Sequence, residues 1–454
     1  MPATRHTMPA ADAAWLHMDS ATNPMVVNGL VRLGGTPTLE AVRAVIETRM
    51  VDQYPRFRQR VADPLGRTPA FEDDPSFEIG NHLHRIALPD PGDEGALRET
   101  IADLISPPLD PNKPLWHLYL IEAADGTAAA LWRIHHSIAD GIALGQVMLA
   151  TADGGPAPEP PAPTAEHHRG LLGRVAAVPG EAAASARSLA GAAVHETSAS
   201  LANPAHLREL GSGALREVAT AAKLIGNPAD PATVLRRPLS GARRVAWSDP
   251  FPLQRVKDAG HRQRVTVNDL LLTALAATLA EAVPWDERPE FLHSMIPVNL
   301  RPLDQPVPAE LGNDFALVLL ELPLAELRPV ERLRQVNSAI NKIKDSPEAL
   351  LSFGLLGAMG MAPRWVEDRL ISFFTEKASM VVTDVPGPRE PLSFAGVPIV
   401  GVLVWAPCSG SIGMTVSIFS YAGEVTTGFM TDTGLIPDPE PLARRYQEEL
   451  DRLC

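Results

Sequence analysis

One stretch constrains this chain more than any other. Gly126-Thr127-Ala128-Ala129-Ala130-Leu131-Trp132-Arg133-Ile134 is an apolar run of the kind buried as a strand, and residues 142–150 read as a helix. Between them lies His135-His136-Ser137-Ile138-Ala139-Asp140-Gly141. A strand-to-helix junction therefore carries two histidines, an acid and a glycine. Loops held by rigid elements are favoured places for chemistry.

The residue types suit proton transfer. Histidine has the side-chain pKa nearest neutrality, which fits it for general-base work, and a working base needs its ring held in place. Asp140 lies four residues past His136. It can brace the imidazole, pair elsewhere and lock the loop, or cap the following helix as its N-cap. Gly141 allows a positive φ or a close backbone approach. Adjacent histidines rarely ligate one ion together and no third ligand is in view, so the pattern does not read as a metal site.

Bulk properties narrow the class. A chain of 454 residues can build two domains with sizeable cores. With 45% hydrophobic and 21% charged residues it is globular rather than disordered. A net charge of −14 argues against nucleic acid, which needs a basic footprint. Cys408 and Cys454 make neither a disulfide framework nor a zinc spacing, which points to a reduced, cytoplasmic compartment. The segment 1–15 has no apolar core of a secretory signal, and no apolar run reaches membrane-span length.

Residues 1–150 read as one α/β unit. Residues 25–33 read as a strand, and Thr38 can cap a helix running through Met50. His82 and His84 share a period of two, which places them on one strand face as surface residues rather than metal ligands. Trp116 to Ile121 alternates like a strand and leads into the one before His135. Residues 151–240 hold a Pro-rich linker and then Ala-rich helical segments. These read as bridging helices, with a lipid-contacting surface as the sharper alternative; His167-His168 in the linker has no preceding strand and no following Asp-Gly. Residues 241–454 read as a second α/β domain. In it Thr266 or Asn268 can cap a strong helix, residues 292–301 form a strand ending at Arg301, and residues 379–388 form a buried strand running into a rigid turn. The apolar segment 350–361 fits a buried core helix and a lipid contact equally.

The motif resembles the HHxxxDG signature of the bacterial wax ester synthase/acyl-CoA:diacylglycerol acyltransferase family. The resemblance spans nearly the whole chain. It takes in Pro114-Leu115-Trp116, His135-His136 through Asp140-Gly141, Thr266-Val267-Asn268-Asp269, Pro297-Val298-Asn299-Leu300-Arg301 and Thr383-Asp384-Val385-Pro386-Gly387-Pro388. The family often has Ser-Asn where this chain has Thr383-Asp384. The resemblance implies two chloramphenicol-acetyltransferase-like α/β domains facing each other across a central cleft or tunnel.

It also implies transfer of a long-chain acyl group from acyl-CoA, as co-substrate and without a cofactor or metal, to an alcohol. Diacylglycerol would give triacylglycerol and a long-chain alcohol a wax ester. His136 is then the base, with His135 and Asp140 beside it. Gly141, Asn268, Asp269 and Arg301 support the site, with Asp140 expected to pair with Arg301 across the domain contact. Trp116, Ser137, Thr383 and Asp384 are candidate substrate contacts. Insoluble products imply a cytoplasmic protein peripheral to a membrane or lipid droplet. Two other readings remain open: an acyltransferase of the same fold using a carrier-bound donor, and a lipid-binding member without activity.

Overall fold

The computed structural model describes residues 5–63, 69–155, 229–299, 308–344 and 364–454. The bridging segment 170–225, Arg301 and the apolar segment 350–361 lie outside the described residues. Two large mixed sheets dominate, and a small one of three strands, Arg5–Thr7, Ala70–Asp73 and Gln59–Ala62, flanks them.

The first sheet has six strands in the order Ser393–Phe394, Val397–Trp405, Val26–Leu33, Ala128–His135, Trp116–Glu122 and Leu83–Ala87. Ala128–His135 lies inside this order, antiparallel to both neighbours, with Val26 opposite His135 and Trp116 opposite Ile134. All its residues are buried. That is why its sequence is a continuous apolar run: both faces are covered, so no polar alternation survives. Asp140 then stops the strand-turn and starts helix Gly141–Thr151 by accepting the Ala143 N–H at 2.8 Å. Thr38 caps helix Leu39–Ile46, which widens into a π-helical turn, Glu47–Val51.

The second sheet runs Phe315–Pro323, Phe291–Asn299, Met380–Pro386, Met414–Tyr421, Glu424–Asp432 and Arg243–Trp247, with Phe251–Pro252 also pairing with Glu424–Asp432. Helices Val267–Ala282, Pro329–Lys344 and Glu440–Leu453 cover one face and share one apolar core with it. Thr266 opens Val267–Ala282 through a reciprocal capping box with Asp269. No single helix among the described residues is long and apolar enough to cross a membrane.

The sequence boundary at 241 fails for one piece. Ser393–Phe394 and Val397–Trp405 leave the second half and extend the first sheet, pairing with Val26–Leu33. Strand periodicity predicts the strand but says nothing about which sheet receives it. The crossing joins the halves through a shared apolar layer. Leu30, Leu131, Leu403 and Trp405 of the first sheet pack there with Val245, Trp247 and Met430 of the second. Gly428 permits this approach: a Cβ on it would lie 2.7 Å from Trp405 Nε1. Trp405 is fully buried. Trp405→Ala is therefore expected to cost about 3–5 kcal/mol, and Gly428→Val to lower the melting temperature. Scanning calorimetry should show both halves shifting as one transition.

Candidate active site

The loop after the buried strand is fixed by main-chain bonds before any side chain acts. The His136 N–H donates to the Met25 carbonyl at 2.8 Å, and the Ile138 N–H to the His135 carbonyl at 3.0 Å. Arg56 Nη1 donates to the carbonyls of Ser137 at 3.1 Å and Ile138 at 2.7 Å. The same nitrogen lies 2.8 Å from Asp12 Oδ2 in an ion pair that is almost wholly buried. Burial pushes the Asp12 carboxyl up, against the pull of Arg56 and the hydrogen bonds from Asn313.

The second half grips this loop from the other side. Asn313 Nδ2 donates to Asp12 Oδ1 and to the His136 carbonyl, each at 2.8 Å, and the Asn313 N–H donates to Asp12 Oδ1 at 3.0 Å. The Asp314 N–H donates to Asp140 Oδ2 at 2.9 Å, and the Asp140 N–H to the Gly312 carbonyl at 3.2 Å. Asp140 thus holds a helix start with one oxygen and the opposite domain with the other. This is the capping and loop-locking reading; its expected partner Arg301 lies outside the described residues. Gly312 has φ +114°, and a side chain there would point at the Asp12–Arg56 pair.

The His136 ring packs against both Trp15 and Phe315, with centroids 4.6 and 5.3 Å away, and those two rings stack on each other at 5.3 Å. Trp15 comes from helix Ala10–Met18, and Phe315 opens the edge strand of the second sheet. Burial lowers the His136 pKa to about 4; the Asp140 charge, its own carbonyl and Asn313 oppose this more weakly. The ring is neutral at pH 7. Its Nδ1 is enclosed, which leaves Nε2 as the nitrogen a substrate could reach. His135 differs. Its Nδ1 accepts from the Ser137 N–H at 3.1 Å and from Ser137 Oγ at 2.8 Å. That places its proton on Nε2, 3.6 Å from Asp19 Oδ1.

Several expected residues stand elsewhere. Trp116, a candidate substrate contact, is fully buried, donates from Nε1 to the Phe57 carbonyl at 2.7 Å and stacks on His82. Ser137 is also fully buried, with its hydroxyl committed to His135. Gly141 has neither a positive φ nor a close neighbour; open space lies where its Cβ would be. Asp269 is structural, accepting the Thr266 N–H at 2.7 Å and Asn337 Nδ2 at 3.0 Å. Asn268 sits in the first turn of the same helix with a buried Oδ1 that has no partner among the described residues. Thr383 is buried and Asp384 exposed on strand Met380–Pro386.

His82 precedes its strand and is buried; it and His84 both pack on His117, with ring centroids 5.4 and 4.9 Å away, so they share one face as expected but are not surface residues. No group of three or more His, Cys, Asp or Glu among the described residues could hold a metal ion. Sequence reasoning missed Asp12, Trp15, Arg56 and Asn313. Their partners lie up to 301 residues away, and no local pattern marks them. Arg56→Met leaves Asp12 buried without its cation and is expected to destabilise by about 3–5 kcal/mol in urea unfolding. Gly141→Ala should leave stability unchanged or raised.

Comparison with known proteins gives one answer. The wax ester synthase/diacylglycerol acyltransferase catalytic domain matches residues 8–271, and the C-terminal domain of the same family matches residues 311–454. A probable diacylglycerol O-acyltransferase of Mycobacterium tuberculosis is 30% identical over 407 residues, covering 88% of this chain and 83% of the relative. A second, putative one from the same species is 27% identical over 467 residues, covering 97% and 89%. Among solved structures, the wax ester synthase/diacylglycerol acyltransferase from Marinobacter aquaeolei VT8 superposes with a TM-score of 0.67 at 19% identity, covering 99% of this chain and 98% of that one. The first condensation domain of the CDA synthetase gives 0.57 at 15% identity, covering 99% and 95%. The fold is thus the expected pair of chloramphenicol-acetyltransferase-like α/β domains. The chain is an acyltransferase and belongs to the wax ester synthase/diacylglycerol acyltransferase family.

Proposed function

We propose that the protein transfers a long-chain acyl group from acyl-CoA to an alcohol, either diacylglycerol or a long-chain alcohol, with His136 as general base. The observation that carries this is a neutral imidazole packed against the stacked Trp15 and Phe315 rings where the two halves meet. The names of the similar proteins support the acceptor classes.

His136 Nε2 takes the proton of the acceptor hydroxyl as its oxygen attacks the thioester carbonyl. The tetrahedral adduct collapses, the C–S bond breaks, and the imidazolium returns the proton to the departing thiolate. The products are an ester and free CoA. A depressed pKa makes His136 a weaker base but its imidazolium a stronger acid, which favours the return step. Direct transfer needs no acyl-enzyme, and Ser137 is poorly placed to form one because its hydroxyl is buried against His135. Asn268, in the first turn of a helix whose dipole favours negative charge, is our candidate to stabilise the oxyanion. Both acceptors are insoluble in water, so we place the reaction at a membrane or droplet surface facing the cytoplasm.

The test follows thiol release from palmitoyl-CoA with hexadecanol or dipalmitoylglycerol present. Acceptor-dependent release is expected, and His136→Ala should reduce it about 10²–10⁴-fold. No release with either acceptor overturns the reading and favours a carrier-bound donor. The pH profile adds a second check. The active form is the neutral ring, so protonation removes activity. With a pKa of about 4, kcat/KM should stay level from pH 8 to below 6 and fall only near pH 4. A fall centred near 6.5 would contradict the environment described for His136.

A further inference from the structure

The two histidines of the loop differ at Nδ1. His135 Nδ1 accepts from the Ser137 N–H and hydroxyl, so its proton stands on Nε2. His136 Nδ1 is buried and completes no hydrogen bond among the described residues. A neutral imidazole carries one N–H and one bare nitrogen. For Nε2 of His136 to be the base, the proton must stand on Nδ1. A buried N–H without an acceptor is costly, so an acceptor is needed there.

Asn313 holds the matching atom. Its Nδ2 donates to the His136 carbonyl and to Asp12 Oδ1, each at 2.8 Å, and its main-chain N–H donates to Asp12 Oδ1 at 3.0 Å. These contacts fix which way the amide is turned. Flipped over, its oxygen would face two other acceptors, the His136 carbonyl and the Asp12 carboxylate. Oδ1 therefore lies on the side away from them, and it too is buried with no partner among the described residues. An unused acceptor and an unused ring nitrogen thus belong to two residues already joined by a hydrogen bond. The His136 carbonyl that Asn313 grips bears on its own ring, and both that carbonyl and the Asn313 side chain favour the protonated ring. Of the titratable groups that bear on this ring, Asp140 favours its charge and His135 opposes it; Trp15 and Phe315 cover it with uncharged rings.

We propose that Asn313 is a positioning residue for the base: its Oδ1 accepts the Nδ1 proton of His136, which keeps Nε2 bare, while its Nδ2 holds the carbonyl of the same residue. The role of Nε2 rests on the acyl-transfer reading above; the place of the proton rests on the contacts of Asn313. When Nε2 takes the proton of the acceptor hydroxyl, the ring becomes a cation, and the bond from Nδ1–H to Oδ1 becomes charge-assisted and stronger. The Nδ1 proton stays on the ring throughout, since an amide oxygen accepts the bond without taking the proton. Asn313 comes from the second half of the chain, so the base is complete only when the two halves are joined.

Two measurements on the full chain test this. The first is nitrogen NMR of protein isotopically labelled at histidine, with the His136 signals assigned from their absence in His136→Gln. At neutral pH His136 should be protonated on Nδ1 and His135 on Nε2, and Asn313→Ala should lose the pure Nδ1–H form of His136. A wild-type His136 protonated on Nε2 overturns the proposal, and so does an Asn313→Ala protein that keeps the pure Nδ1–H form. The second is the pH profile of thiol release from palmitoyl-CoA with hexadecanol. Asn313→Ala should lower kcat about 10–100-fold, the range of a hydrogen bond to a charged group, and leave both KM values within about twofold. Asn313→Asp sets a carboxylate against the Nδ1 proton and favours the charged ring, so the acid limb of kcat/KM should move up from about 4 toward neutrality. A loosened loop lowers kcat and the melting temperature without moving that limb, and an unmoved limb in Asn313→Asp overturns the proposal. Should Asn313→Ala fail to fold, the wild-type tautomer and the Asn313→Asp profile decide. Absence of thiol release from the wild type removes the acyl-transfer reading, and the NMR measurement still decides where the proton stands.

Discussion

The buried pair between Asp12 and Arg56 is the interaction on which the site depends. Removing two charges from water is expensive, and their attraction offsets that only when further hydrogen bonds satisfy the remaining atoms. Here those further bonds are the site itself. Arg56 spends its remaining capacity on the carbonyls of Ser137 and Ile138, and Asp12 accepts from Asn313. Asn313 in turn holds the carbonyl of His136. One ion pair thus ties the first helix, a short turn before the small sheet, the histidine loop and the opposing domain into one unit. None of these four segments is near another in sequence.

The crossing strand makes that unit rigid. Val397–Trp405 leaves the second half and is hydrogen-bonded into the first sheet, and Trp405 fills the layer between the sheets. The halves cannot slide past each other without breaking a strand pairing and exposing a buried indole. A reaction that needs two substrates aligned at one imidazole benefits from such a frame. Orientation is then set by folding rather than at each encounter, which is where much of a bimolecular barrier lies.

The histidine loop was legible in the sequence because its determinants are local. A run buried on both faces loses its polar alternation, and an aspartate before an apolar helical run reads as a cap. The capping box at Thr266 and Asp269 was legible for the same reason. What the sequence concealed is non-local. Periodicity shows that residues near 401–405 form a strand but not which sheet takes it. Trp116 belongs to a family motif, yet its indole is consumed by Phe57 and His82 in the core, so a recurring residue marks packing as readily as contact with substrate. Gly141 invites an argument from backbone freedom, but it has no positive φ and only open space beside it.

The group left most at odds with its surroundings is the imidazole proposed as the base. Burial against the stacked Trp15 and Phe315 rings lowers the His136 pKa to about 4. Asp140 and Asp269, which also belong to family motifs, hold helix starts and loops, Asp140 with both carboxylate oxygens and Asp269 through Oδ2. The distinction separates residues that build the site from residues that use it. A buried polar group whose hydrogen bonds are complete stabilises the fold and has nothing left for a ligand. One whose bonds are incomplete carries a cost that folding alone does not recover. In this chain that cost falls on the buried imidazole beside Phe315.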